Sequence, residues 1–287
     1  MVDINKILCE EFNIKPFQVE NTVKLIDEGS TIPFIARYRK EQTGSLDDVV
    51  LRDLYERLMY LRNLESRKEE VIRLIEEQGK LTEELKNEIL NADVMQRVED
   101  LYRPFKQKKS TRASKAKEKG LEGLANCILA QNITEGSLDE IAASFVDEEK
   151  GVKDIKEAYE GACDIIAEII SDNADYRKYI REVYLKDAVL TSEAADEEEK
   201  SVYEMYYKFE EPVSKLANHR ILAVNRGEKE KKLKVKLKTP DDKITNYLKS
   251  KEITNESAIT VDYYLSAILD SYKRLIAPSI EREVRNM

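Results

Sequence analysis

Between Ser45 and Gly79, apolar residues return every three or four positions: Leu46, Val50, Leu54, Leu58, Leu61, Leu64, Val71 and Ile75, with one gap near Lys68. That spacing is the helical period, and no other feature constrains the fold as strongly. At about 1.5 Å per residue the run makes one helix of roughly 50 Å, over about 46–78. A helix of that length draws most of its stability from packing, so other helices must lie along its side. Ser45 with Asp48 three residues on resembles a capping box at its start.

The flanking segments supply such partners. In "DINKILCEEFN", Ile4, Ile7, Leu8 and Phe12 form one helical stripe. Pro16 suits the first turn of a second helix and Gly29 its end, while Pro33 opens a short helix carrying Phe34, Ile35 and Tyr38. Thr82 is an N-cap for a helix through Leu85 and Ile89, and Asp93 for one containing Val94, Val98 and Leu101. Short helices joined by tight turns beside a rod read as a helix-turn-helix-like unit. Helices are expected again at 121–131, 137–146, 152–172 and 174–187. The scarcity of Gly (9) and Pro (6) in 287 residues agrees with a mainly α fold.

A change of period follows. Residues 191–201, "TSEAADEEEKS", are acidic and weakly patterned and read as a linker. "HRILAVN" is apolar and β-compatible, and "KLKVKLK" alternates strictly, so 219–238 is expected to be one small β-hairpin. Helix is expected at 240–251 and from Ser257 to the end.

No apolar run approaches the roughly 18–20 residues of a membrane span, and the acidic N-terminus is unlike a signal peptide. Cys9, Cys127 and Cys163 are far apart and form no C-x-x-C pair. These features give the expectation of a cytosolic, cytoplasmic protein with reduced thiols.

No catalytic constellation is apparent. The single histidine, His219, has no His or Cys neighbour. There is no nucleophile-elbow glycine pattern and no Gly-rich phosphate loop. In a chain with 57 acids, carboxylate pairs are solvated surface. The expectation is no enzyme, no cofactor and no metal.

The net charge of −9 argues against a general nucleic-acid binder, but it is unevenly spread. Arg103 to Lys119 carries eight basic residues and one acid, and Arg226 to Lys238 seven and two, leaving −21 on the remainder. In the first stretch Arg103, Lys106, Lys108, Lys109, Arg112 and Lys115 are candidate phosphate contacts, with Ser110 and Thr111 as extra donors. The competing reading is a solvated loop and helix face. In the second, Lys232, Lys234 and Lys236 lie about 6.6–6.8 Å apart, near the phosphate spacing of an extended single strand. Lysines also blunt exposed strand edges, and that reading is preferred there. In "TIPFIARYRKEQTGSLDD", an apolar patch adjoins Arg37, Arg39 and Lys40. Ile32, Phe34 and Ile35 are expected to pack under neighbouring helices while the three cations pair with acids or face a partner.

The same string resembles the signature of the Tex family of bacterial transcription accessory proteins. "YLRNLESRKEEVIRLIEEQGKLTEEL", "VEDLYRPFKQKKSTRASKAKEKGLEGLA", "HRILAVNRGEKEKKLKVKL" and "RLIAPSIEREVRN" match it in the same order. The resemblance implies an elongated, mainly α protein that is similar to a eukaryotic elongation factor and histone chaperone. It implies an N-terminal helical region over 1–190, with the helix-turn-helix-like insert around 46–120, a linker at 191–201, and a hairpin with helices over 202–287. An RNase H-like domain, helix-hairpin-helix elements and an oligonucleotide-binding-fold RNA-binding domain would follow. The sequence stops at Met287, inside the helix expected to precede the RNase H-like domain, so a truncated chain is the expectation. The implied partners are RNA or DNA, held weakly by this region, and the same protein's C-terminal domains. The alternative is a module that docks on RNA polymerase or the ribosome without touching nucleic acid.

Overall fold

The computed structural model describes residues 3–198 and 200–287. The chain is mainly α-helical and divides into two compact units, Met1–Tyr102 and Arg103–Met287.

The first unit contains α1 (Ile4–Phe12), α2 (Pro16–Asp27), α3 (Ile32–Tyr38), α4 (Asp48–Glu76), α5 (Glu83–Leu90) and α6 (Met95–Tyr102). The expected long helix is α4, of 29 residues. Its N-cap is Asp47, whose carboxylate accepts the Val50 N–H at 2.8 Å. The expected box on Ser45 does not form, because Gly44 and Ser45 both take left-handed φ values (61° and 63°) in the turn before it. Leu46 and Leu51, which flank the cap, pack in one cluster with Leu25 and Ile35 and so fix the entry angle of the helix. Further along, Leu54, Leu58 and Leu61 meet Leu8 of α1 and Val19 of α2. Arg57 grips Glu11 of α1 (2.6 Å), and Arg62 grips Asp27 of α2 (2.7 Å).

The gap in the apolar stripe has a structural reason. Lys68 is buried at 3% exposure. Its ammonium donates to Glu65 at 2.7 Å and to the Leu90 carbonyl at 3.0 Å, at the end of α5. There the free carbonyls carry the negative end of the helix dipole. Thr82 caps α5 as expected, whereas the Met95 N–H at the start of α6 is taken by the Tyr60 hydroxyl (3.0 Å).

The second unit is built around α10 (Ile155–Ser171), with α7 (Arg112–Glu118), α8 (Glu122–Ala130) and α9 (Leu138–Ala143) before it. After it come α11 (Ala174–Asp187), α13 (Asp241–Glu252), α14 (Val261–Asp270), a π-turn at Ser271–Ile276 and α15 (Ala277–Asn286). Tyr159, Ala162, Ile165, Ile166 and Ile170 of α10 are buried in its main core. Gly161 lets α10 approach closely, since a Cβ there would lie 2.3 Å from Leu121 Cδ1. Arg177 of α11 is fully buried and donates to Glu283 and Ser279 of α15, and Arg181 donates to the same carboxylate at 2.8 Å.

The β region departs from expectation. "HRILAVN" belongs to helix α12 (Asn218–Lys229), and the strands β1 (Val189–Ala194), β2 (Lys208–Pro212) and β3 (Leu233–Lys238) form an antiparallel sheet in the order β2-β1-β3. No hairpin spans 219–238. The cause is burial. Of the apolar run only Val224 is fully buried while Leu222 is 69% exposed, which one helical face satisfies and a two-sided strand would not. Gly227 admits Leu233 against α12, since a Cβ there would lie 2.6 Å from Leu233 Cδ1. Residues 191–194, expected to open a linker, are four of the six residues of the central strand: Thr191, Ser192 and Glu193 pair with Lys208–Glu210 on one side and Lys234–Lys236 on the other, and Ala194 pairs with Leu233. Glu199 of that expected linker lies outside the described residues. Among the described residues no helix is long and apolar enough to cross a membrane.

Candidate nucleic-acid interface

The 103–119 segment runs from a short 3-10 turn (Arg103–Phe105) through an exposed stretch into α7. Much of its charge is used internally. Arg103 donates to Asp172 at 3.1 Å. Lys108 bonds to the same carboxylate and lies 3.5 Å from Glu168, at the end of α10. Lys119 donates to the Gly151 carbonyl at 2.8 Å, and Lys117 lies 3.7 Å from Glu122. Thr111, expected as a phosphate donor, instead caps α7: its Oγ1 accepts the Ser114 N–H at 3.0 Å and the Ser114 Oγ accepts the Thr111 N–H at 2.8 Å.

Lys106 is exposed. Lys109, Arg112 and Lys115 are also exposed, and they make no ion pair among the described residues. Arg112 and Lys115 line a groove whose other wall carries Glu157, Glu160 and Asp164 of α10. Burial pushes the Asp164 carboxyl up, against the opposing pull of Arg274 and Arg112. Among the described residues the fold therefore leaves Lys109, Arg112 and Lys115 without an ion pair, and the last two face acids across the groove.

The lysine row lies on the edge strand β3. Lys234, Lys236 and Lys238 are exposed and alternate with Leu233, Val235 and Leu237, which face α12 and the rest of the small core. In register Lys234 stands opposite Glu193, and Glu193 has Lys208 on its other side. Lys238 reaches Glu210 at 3.3 Å. Lys232 precedes the strand, and its N–H closes the turn from α12 onto the Gly227 carbonyl (2.9 Å). An exposed edge with alternating charge matches edge protection.

The opening motif differs from expectation at Phe34, and of the two alternatives for its cations the pairing with acids does not form among the described residues. Ile35 is fully buried and Ile32 half-buried, but Phe34 is 38% exposed and Tyr38 61% exposed. Arg37, Arg39 and Lys40 make no ion pair among the described residues. The Arg39 guanidinium instead lies over the Phe34 ring, 5.1 Å from its centroid. The i, i+3, i+4 spacing of Phe34, Arg37 and Tyr38 is the signal that sets all three on one helical face.

His219 is exposed in the first turn of α12, not beside a strand. Among the described residues no group of three or more His, Cys, Asp or Glu side chains is placed to hold a metal ion. The cysteines are free and half-buried, and burial pushes the Cys163 thiol up to about 12.

Fold and surface together define a mainly α-helical protein of two compact units, with one small sheet in the second and cations displayed in short clusters. The family model described as Tex-like protein N-terminal domain matches residues 2–76, and that described as Tex central region-like matches 135–287. The chain belongs to the Tex family. It is 50% identical over 281 residues to the protein YdcI of Bacillus subtilis (strain 168), covering 97% of this chain and 39% of that protein. It is 40% identical over 244 residues to the transcriptional accessory protein Tex of Neisseria gonorrhoeae, covering 84% of this chain and 32% of the relative. With the human S1 RNA-binding domain-containing protein 1 it shares 30% identity over 300 residues, or 99% of this chain and 30% of that one. The chain thus spans two fifths or less of these relatives.

Proposed function

We propose that this chain is the N-terminal scaffold region of a Tex-like transcription accessory factor, acting in the cytoplasm in transcription or RNA handling and contacting RNA or DNA weakly itself. Family membership carries the reading, supported by one relative named for transcription and another for an RNA-binding domain. Lys109, Arg112 and Lys115 are the contacts it assigns within 103–119, since Arg103 and Lys108 are spent on Asp172. Lys106, Lys232 and the β3 lysines Lys234 and Lys236 are secondary. The α5–α6 pair, two eight-residue helices against α4, is its helix-turn-helix-like unit. Catalysis, cofactors and metals have no part in it, and the C-terminal domains of the intact protein would supply the main nucleic-acid grip.

The test is binding of the chain to single-stranded RNA, single-stranded DNA and duplex DNA across salt, with and without Lys109→Glu, Arg112→Glu and Lys115→Glu together. Three phosphate contacts give a log–log salt slope near −2 for single strands, a loss of about 20-fold between 50 and 200 mM. The triple variant should flatten the slope by about that amount. Salt-independent affinity, or none at low salt, would sink the reading.

A second reading has its own support. Val202 (86% exposed), Met205 (75%) and Leu222 (69%) are large apolar side chains left in solvent. Val202 and Leu222 line one groove with Tyr203 and Ala223. Docking of RNA polymerase or the ribosome there would be mainly apolar and weaken little with salt.

A further inference from the structure

The outward face of α3 combines aromatic rings and unpaired cations on a rigid base. Phe34 and Tyr38 are exposed with centroids 5.4 Å apart and their planes tilted by 46°. Arg37 lies between them along the helix and is exposed. Arg39 covers one side of Phe34, leaving Tyr38 as the more open ring. Lys40 follows, exposed. Isolated exposed apolar residues are ordinary, but a paired aromatic patch ringed by three cations without acid partners among the described residues, in a chain of net charge −9, is not.

The base of this surface is fixed. Ile35 on the inward face is fully buried against Leu25, Leu46 and Leu51. The turn after α3 is tied to α2, where Gln18 donates to the Thr43 and Gly44 carbonyls (3.2 Å each) and Asn21 to the Gln42 carbonyl (2.8 Å). The Thr43 N–H closes on the Arg39 carbonyl (3.1 Å) and the Ser45 N–H on that of Lys40 (2.8 Å). The backbones of Arg39 and Lys40 are thereby held while their side chains point outward, so little order remains to be imposed on binding.

The geometry points to a contact for single-stranded nucleic acid on this face, with a base stacked on Tyr38 beside Phe34 and phosphates on Arg37 and Lys40. Flat rings with flanking arginine and lysine are what sequence-tolerant single-strand binding uses, while Arg39, laid over Phe34 and donating to the Tyr38 carbonyl (3.4 Å), braces the ring pair. An acidic peptide could use the cations but gains little from the exposed rings. This surface belongs to the first unit and Lys109, Arg112 and Lys115 to the second, so it extends the nucleic-acid reading without depending on those cations.

The test uses the full chain and a fluorescent oligouridylate of about 15 nucleotides. Phe34→Ala with Tyr38→Ala should weaken binding about tenfold. Arg37→Glu with Lys40→Glu should flatten the salt slope by about 1.4. Arg37 and Lys40 are exposed, so melting of that variant must stay unchanged, and the ring variant, which also loses the partly covered Phe34, is read below its own melting transition. Photocrosslinking of a bromouridine version should map to residues 31–40. Unchanged affinity in both variants overturns the inference, as does the absence of oligouridylate binding or of crosslinks at 31–40. Binding of poly-glutamate as tight as that of oligouridylate also overturns it, in favour of an acidic protein partner. Loss of binding in the α3 variants but not in the Lys109/Arg112/Lys115 variant supports this site while refuting the 103–119 contacts, and the opposite pattern does the reverse.

Discussion

Changing Glu283 tests how the second unit is closed. Its carboxylate is the shared acceptor of two arginines on α11, one fully buried and the other nearly so. Replacing it with alanine strands two guanidinium groups where water reaches them poorly. Breaking a buried charge pair from one side costs about 3–5 kcal/mol. Glu283 itself keeps 20% of its side chain exposed, which puts the expectation at the low end, about 3 kcal/mol. For a unit of this size that is a fall in Tm of roughly 6–12 °C.

The pH dependence supplies a second signature. Burial works to raise the Glu283 carboxyl, but hydrogen bonding from Arg181 and the charges of Arg177 and Arg181 outweigh it, so the group is held below its ordinary 4.5. A depressed carboxylate contributes stability that is fully present above the unfolded value and is lost as pH falls through the folded one. The parent should therefore lose stability below about pH 4.5 more steeply than Glu283→Gln, which keeps an acceptor but no charge. Calorimetric melts of parent, Glu283→Ala and Glu283→Gln between pH 7 and pH 3 decide it. A Glu283→Ala variant that melts with the parent, or identical acid profiles for parent and Glu283→Gln, would refute the account of this cluster.

Two further substitutions test packing. Lys68→Ala should destabilise the first unit by about 3 kcal/mol, and Lys68→Met by less because the stem stays buried; hydrogen exchange of the α5 amides reads the difference. Gly161→Ala would gain about 1 kcal/mol in an open helix but here should lose about 1–3 kcal/mol, because its Cβ collides with Leu121; a rise in Tm would show that α8 and α10 are not in close contact.

Much of the helical architecture was legible because one-sided burial leaves a period in the residue order. The stripe from Val50 to Ile75 became α4, the helices expected at 121–131, 137–146, 152–172 and 174–187 each contain an observed one, and that expected at 240–251 matches α13 to within one residue. Pro16 and Gly29 marked the ends of α2 for purely local reasons: a fixed φ at the start and a φ of 85° after the end. The long matching strings pointed to the Tex family, which two family models then showed.

What local pattern could not carry was pairing between distant segments. β1 lies between a strand some fifteen residues on and another some forty residues on, so nothing near 191–194 marked it as a sheet centre. "HRILAVN" is short enough to satisfy either period until Leu233 and Tyr203 choose which face is covered. Charge behaves the same way. Eight cations in 103–119 could be counted from the sequence, but Asp172, sixty-four residues beyond Lys108, takes two of them out of reach of a phosphate. At Arg37, Arg39 and Lys40 tertiary structure did the opposite: it buried Ile35, turned Phe34 and Tyr38 outward, and brought no acid among the described residues to meet the cations. Residue order determines which charges and apolar groups exist and how they repeat along the backbone; only the folded chain sets the distances that decide which of them remain free.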